Sequence, residues 1–286
     1  MSAAGRLHPG DVDARPDHPH QRDEFNRRGL LRLAGLLSAD RVRRAREQVQ
    51  RRLERLGLWR DGAWRLAEFP RPQWPAAGLK TSKAIGNRRP DLEALIDEPA
   101  LLAAVDALLD GRGFDRSVYR RPQVLFTLPN ADHWTVPTGW HVDVPRLASA
   151  RRPGVQLFAC LDAVEPGGGG TVAVAGSHLL LNEGRVIRAQ ELGRLLRRRA
   201  FFRELYSDAP AEAEDRLRLL NRLGGAGDVA LELVELCGAP GDAYLVDLRV
   251  LHAAAPNASD RPRMMATHRF IREGVEQELA EAFGWT

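Results

Sequence analysis

Past residue 116 the chain turns into a succession of short apolar runs closed by turn residues, and this limits the fold more than any other feature. Ser117–Leu128, Trp140–Val144, Val155–Leu161, Thr171–Ala175, Val229–Leu236, Ala243–His252 and Arg263–Ile271 each read as a strand. The sharpest breaks are Glu165-Pro166 with four glycines after it, and Ala239-Pro240-Gly241-Asp242. Helical signals come first. Leu30 to Leu37 is a short strand and turn. Ser38 then stands as an N-cap, Val42, Ala45, Val49, Leu53 and Leu56 follow at helical spacing, and Gly57 closes the run. Asp91–Asp97 and Pro99–Leu109 read as two short helices. Helices followed by many short strands predict a mainly β fold with flanking helices, an antiparallel double sheet of the jelly-roll type. Residues 188–222, rich in Arg, Glu and Leu, interrupt the strand series as helices. An insertion at about 182–226 is therefore expected, forming a lid or wall over the site.

A chain of 286 residues suits a single domain of this kind. Residues 1–22 have almost no apolar pattern and are expected to be a mobile tail, leaving 23–286 as the domain. Cys160 and Cys237 are far apart and in no C-x-x-C pattern, which argues against a disulfide framework or a thiolate zinc site. No stretch is apolar for long enough to span a membrane, and the opening MSAAGRLHPGDVDARPDHPH lacks the apolar core of a secretory leader. A cytoplasmic protein is expected, acting as a monomer or homodimer. The net charge of +4 is small for this length, so nucleic acid is not an expected partner. Nearly all basic residues are arginine; only Lys80 and Lys83 are lysine, and the two side chains are not chemically equivalent.

Of eight histidines, only His141 is followed two residues later by an aspartate, in Trp140-His141-Val142-Asp143-Val144. On a strand, residues two apart share a face, so imidazole and carboxylate would project together. One more histidine makes the two-His, one-carboxylate set of non-haem Fe(II) oxygenases, which leaves open positions for a bidentate cosubstrate and O2. His252 supplies it, at the end of an apolar run in which Tyr244, Val246, Leu248, Val250 and His252 have the same parity.

Several segments, in order, resemble the phytanoyl-CoA dioxygenase family of Fe(II)/2-oxoglutarate oxygenases: Phe25-Asn26-Arg27-Arg28-Gly29-Leu30-Leu31 with the Ser38 helix; Lys83-Ala84-Ile85-Gly86-Asn87; Trp140 to Asp143; Leu161 through the glycines to Gly176-Ser177-His178, with Ala175 where proline is usual; and His252 through Arg263. The likeness covers roughly residues 24–273. It implies a double-stranded β-helix (cupin-like) holding iron through His141, Asp143 and His252. It also implies 2-oxoglutarate as cosubstrate, chelating iron by its 1-carboxylate and keto oxygen, and O2. Arg263 matches the arginine that holds the far carboxylate, with Arg261 the near competitor. Lys83 matches a lysine that contacts the cosubstrate in some members. The family often has Ser two residues after the second histidine, where this chain has Ala254; Thr171 or Thr267 would stand in. His178 is read as structural and His268 as packed. Gln123, His133 and Trp140 are candidate pocket residues.

The implied reaction is oxidative decarboxylation of 2-oxoglutarate to succinate and CO2, coupled to hydroxylation of an unactivated C–H in a small molecule, natural products included. Asp143 occupies the position that related halogenases leave to chloride, which favours hydroxylation over halogenation. Two alternatives stand beside this reading: a cupin-like metal enzyme that does not use 2-oxoglutarate, and a basic, non-enzymatic binding module.

Overall fold

The computed structural model describes residues 19–66, 90–115, 121–149, 151–181, 184–207, 218–221 and 223–283. Lys80, Lys83, the first eighteen residues and positions 208–217 of the insertion lie outside them. Helix α1 (Pro19–Arg28) takes in the last four residues of the expected tail, and Gln21 is buried. Strand β1 (Leu30–Leu33) and helix α2 (Ala39–Arg55) follow. Ser38 holds the N-cap position of α2 with an extended backbone, but its hydroxyl makes no capping bond. A two-stranded ribbon comes next, β2 (Trp59–Arg60) and β3 (Ala63–Trp64), then helices α3 (Pro90–Leu95) and α4 (Pro99–Leu108).

The strands that build the body are β4 (Gln123–Thr127), β5 (Gly154–Cys160), β6 (Thr171–Ala175), β7 (Gly224–Ala226), β8 (Val229–Glu235), β9 (Ala243–Asp247), β10 (His252–Ala254) and β11 (Arg263–Ile271). Helices α5 (Ala189–Leu196) and α6 (Ala200–Leu205) lie between β6 and β7, and α7 (Val275–Phe283) ends the described chain. The strands form a five-stranded sheet, β1-β9-β5-β11-β4, and a four-stranded one, β10-β6-β8-β7. Every pairing within both sheets is antiparallel, as a jelly roll requires.

Period-2 alternation sorts the side chains into layers. On the large sheet Leu157, Ala159, Leu245, Met264 and Ala266 face outward and pack with Val42, Val49 and Leu53 of α2 and with Leu95, Leu101 and Val105 of α3 and α4. The opposite face carries Phe158, Cys160, Tyr244, Val246 and Met265, which meet Ala173, Ala175 and Val234 of the small sheet to form the interior. The outward face of the small sheet, with Val172, Val174, Leu231 and Leu233, is covered by Leu192, Leu196, Phe201, Phe202 and Leu205 of α5 and α6. The described part of the insertion is thus a buttress behind the small sheet, not a lid. It settles there because the residues that alternate with the inward-facing ones on β6 and β8 are large and apolar and need a cover.

Two expected strands differ. Trp140–Val144 forms no strand; His141 makes a single bridge to His252 and the chain then bends. Ala243–His252 is not continuous. It leaves the large sheet after Asp247, turns, and enters the small sheet at His252. Asp247, fully buried, holds that turn by accepting from the backbone N–H, Nε and Nη2 of Arg249 and from Nε of Arg152. The neighbouring Gly176 has φ +83° and lies so close to β8 that an added Cβ would come within 2.1 Å of the Ala230 carbonyl oxygen, so only glycine serves.

Candidate metal centre

Three donors converge at one end of the interior. His141 and His252 are a mutually hydrogen-bonded backbone pair: each N–H donates to the other's carbonyl at 2.9 Å. Side chains of such a pair leave the same face, and the two imidazole centroids are 4.5 Å apart. Asp143 lies two residues on, and one ligand atom from each of the three residues falls within 4.8 Å of the others. His252 Nε2 is 3.6 Å from Asp143 Oδ2. His252 also meets the edge of Phe158, centroid to centroid 5.8 Å, which walls the site on the interior side.

The donor chemistry fits a divalent metal. His141 Nδ1 is 2.9 Å from the Gly139 carbonyl oxygen, and His252 Nδ1 is 3.1 Å from that of Val250. A carbonyl oxygen only accepts, so each Nδ1 carries a proton, and in the neutral tautomer this leaves Nε2 with its lone pair. Burial holds the His252 imidazole down at about 4, against 6.5 ordinarily, so it is neutral near pH 7 although Asp143 pulls the other way. Burial raises the Asp143 carboxyl, but the Arg269 hydrogen bond and the neighbouring histidines outweigh it and hold it below the usual range. The neutral imidazole of His252 and the ionised carboxylate of Asp143 are in the state that metal binding needs. Asp143 Oδ2 is buried and accepts no hydrogen bond, an orphan that a cation would satisfy.

Deeper along the same interior lies Arg263, 4% exposed. It leads β11 opposite Thr127 of β4. Its Nη2 donates to Thr127 Oγ1 at 2.7 Å and its Nη1 to Thr171 Oγ1 at 3.5 Å. Thr171 is opposite Ala254, two residues along β6 from Ala173, the partner of His252, so guanidinium and triad share one chamber. Among the described residues no carboxylate pairs with Arg263, and burial pushes its pKa down to about 10. Asn257, wholly buried, delivers it: its Nδ2 donates to the carbonyls of Thr127 and Arg261, and its Oδ1 accepts from Ser259. Arg261 is different, with a side chain 62% exposed and 3.9 Å from Asp162.

The other expected residues divide. Gln123 begins β4 on the face of Leu125 and Thr127, opposite Thr267, but is exposed. His133 is exposed in the loop before His141. Trp140 is buried with Val142, Val172 and Leu251 behind the triad, on the side away from the donors. His178 is buried, its Nε2 3.0 Å from the Asn26 carbonyl and its ring against Gly29, whose lack of a side chain makes the room. Thr267 hydrogen-bonds Gln156 at 3.1 Å inside the barrel. Lys83 lies outside the described residues. Arg269, which ion-pairs with Asp143 at 2.8 Å, was missed, although the alternation that puts Arg263, Met265 and Thr267 on the inner face continues to it.

A two-histidine, one-carboxylate cluster in the mouth of an antiparallel jelly roll is the arrangement of mononuclear non-haem oxygenases. Within that class the chain belongs to the phytanoyl-CoA dioxygenase family, whose sequence profile matches residues 25–265. That family consists of Fe(II)/2-oxoglutarate-dependent enzymes. Similar folds are seen in the non-haem α-ketoglutarate-dependent carbocyclase SnoK from nogalamycin biosynthesis (17% identity, 92% of this chain and 87% of that one, TM-score 0.53). They are seen too in AviO1 from Streptomyces viridochromogenes Tue57 (21%, 91% and 96%, 0.51) and in the α-ketoglutarate-dependent epimerase SnoN from nogalamycin biosynthesis (18%, 88% and 81%, 0.51). No curated protein sequence matches the chain. No described helix is long and apolar enough to cross a membrane.

Proposed function

We propose that this protein is an Fe(II)- and 2-oxoglutarate-dependent hydroxylase of a small molecule, with His141, Asp143 and His252 as iron ligands and Arg263 as the anchor of the cosubstrate. The observation that carries it is the buried, carboxylate-free guanidinium of Arg263 in the chamber that holds the three donors. A metal site alone is shared by cupins that use no cosubstrate. A buried cation without a counter-ion is costly unless an anion joins it, and a guanidinium grips a carboxylate through two parallel hydrogen bonds.

Iron in the triad would supply O2 activation coupled to decarboxylation of 2-oxoglutarate: R–H, O2 and 2-oxoglutarate give R–OH, succinate and CO2. The chain's own residues do the rest. His141 and His252 present lone pairs fixed by backbone carbonyls, and Asp143 supplies the single negative charge. Thr127 and Thr171 orient Arg263. Phe158, Val246 and Met265 keep the chamber dry, which strengthens the Arg263–carboxylate pair. Neighbours of this fold are described as an epimerase and a carbocyclase, so the architecture hosts more than one reaction, and one of them is described with Fe3+, α-ketoglutarate and a nogalamycin compound bound. A natural product as substrate is in keeping with that company.

The test is an anaerobic titration of the purified protein with Fe(II) and then 2-oxoglutarate, followed by exposure to O2 and measurement of succinate. One iron per chain, and iron-dependent succinate that disappears in His141→Ala, Asp143→Ala and His252→Ala, supports the reading. Iron binding without 2-oxoglutarate consumption would make the cupin alternative correct. With a substrate in hand, 18O from O2 must appear in the product alcohol.

A further inference from the structure

Strand β11 sends two arginines into the barrel, and they are in opposite situations. Among the described residues Arg263 has no acidic partner; Arg269 donates to Asp143 Oδ1 at 2.8 Å, with side chains only 18% and 11% exposed. The other oxygen, Oδ2, is the one 3.6 Å from His252 Nε2 and without a hydrogen bond. We propose that Arg269 is a positioning residue: it engages one oxygen of Asp143 so that the carboxylate can meet a metal only through the other, which keeps the remaining positions open for 2-oxoglutarate and O2. This rests on Asp143 being an iron ligand, as proposed above.

Three single-atom ligands on one face of a six-coordinate ion leave three sites, enough for a two-atom cosubstrate and O2. Carboxylates also bind metals through both oxygens. An Asp143 that did so would take a fourth position, and cosubstrate and O2 would compete for what is left. His141 and His252 cannot prevent this, since each is fixed only through its own Nδ1. A charge-assisted hydrogen bond to Oδ1 does prevent it, because turning the carboxylate would break a strong, partly buried contact. Arg269 is well placed to hold still: β11 is paired in this region with β5, Arg269 standing opposite Gln156. Asp143 itself lies on a bent, strandless segment with one backbone bridge, so little else sets its rotation.

The experiment compares wild type, Arg269→Met, Arg269→Lys and Asp143→Ala under anaerobic conditions. Each is titrated with Fe(II), then with 2-oxoglutarate, and the visible charge-transfer absorption of iron-chelated 2-oxoglutarate is recorded. Thermal melting confirms that each is folded. The expected result is that Arg269→Met keeps its iron to within a few-fold but needs on the order of ten-fold more 2-oxoglutarate, with a weakened or shifted band. Arg269→Lys recovers part of both. Wild-type 2-oxoglutarate affinity and band in Arg269→Met overturn the inference; if that variant does not fold, the same result in Arg269→Gln does so. Asp143→Ala separates the two levels: if it retains tight iron, the ligand assignment fails and takes this inference with it.

Discussion

Replacing Arg263 by Met removes a buried cation whose acceptors in the protein are two threonine hydroxyls. Two consequences of different sign follow. If Arg263 anchors the far carboxylate of 2-oxoglutarate, the variant loses a charged hydrogen bond worth about 1.5–3 kcal/mol. At about 1.4 kcal/mol per factor of ten, the cosubstrate binds about 10- to 100-fold more weakly. Stability behaves otherwise. Breaking a buried ion pair costs about 3–5 kcal/mol because a charge is stranded. Among the described residues Arg263 has no such partner, and burial already disfavours its charged form, so the cosubstrate-free variant should melt within about 1 kcal/mol of wild type, or above it. The assay is an anaerobic 2-oxoglutarate titration of the iron-loaded protein beside chemical denaturation of the apo-protein. Arg261→Ala is the control. Its side chain is 62% exposed and its ion pair is loose, so it should change either readout by less than about 0.5 kcal/mol. An unchanged 2-oxoglutarate requirement in Arg263→Met, or a loss of several kcal/mol of stability, would refute the reasoning: in either case the guanidinium serves the fold, not the cosubstrate.

Asp247→Asn should destabilise the protein by about 3–5 kcal/mol in urea, since Arg249 and Arg152 lose their buried anion; a change below 1 kcal/mol would mean that the turn is held by other contacts. Acid should weaken the apo-protein through His268, whose pKa burial pushes down to about 4 from 6.5. Its folded value lies below its unfolded one, so its contribution is intact above pH 6.5 and is lost as pH falls toward 4, amounting to about 3 kcal/mol. His268→Phe should flatten the melting temperature against pH across that window; an equally steep profile would place the acid sensitivity elsewhere.

What could be read from the sequence follows from what alternation encodes. Thr171–Ala175 and Arg263–Ile271 are strands with the expected ends, because each alternates cleanly between an inward and an outward set. The same parity put Arg263 on the inner face and, carried one step past Thr267, would have found Arg269. It also held the answer for the insertion. Val172 and Val174 are apolar on the side away from His252's partner Ala173, and that second apolar face had to be covered by something. Alternation misled at Ala243–His252, where Asp247 and Arg249 fit the period but Asp247 ends β9 and Arg249 lies in the turn beyond it. Charges two apart within an apolar run marked a buried corner, and only the tertiary pairing with Arg152 shows why they are tolerated there.

That corner explains how the metal centre is assembled. If the chain ran on as one strand through His252, the histidine would stay in the large sheet, where β9 is already flanked by β1 and β5 and has no free edge. The Asp247–Arg249 turn carries the chain across the barrel, so His252 begins the edge strand of the small sheet. An edge has unpaired backbone groups, and His141 takes the two that His252 offers. The short, irregular segment bearing His141 and Asp143 therefore docks by a single bridge at the ligand itself. Regular pairing beyond that bridge would have continued the segment along β10, whereas the bend at Asp143 brings its carboxylate back to within 3.6 Å of His252 Nε2 and into reach of Arg269. The departure from strand geometry at 142–144 is what lets three donors from two segments face one point.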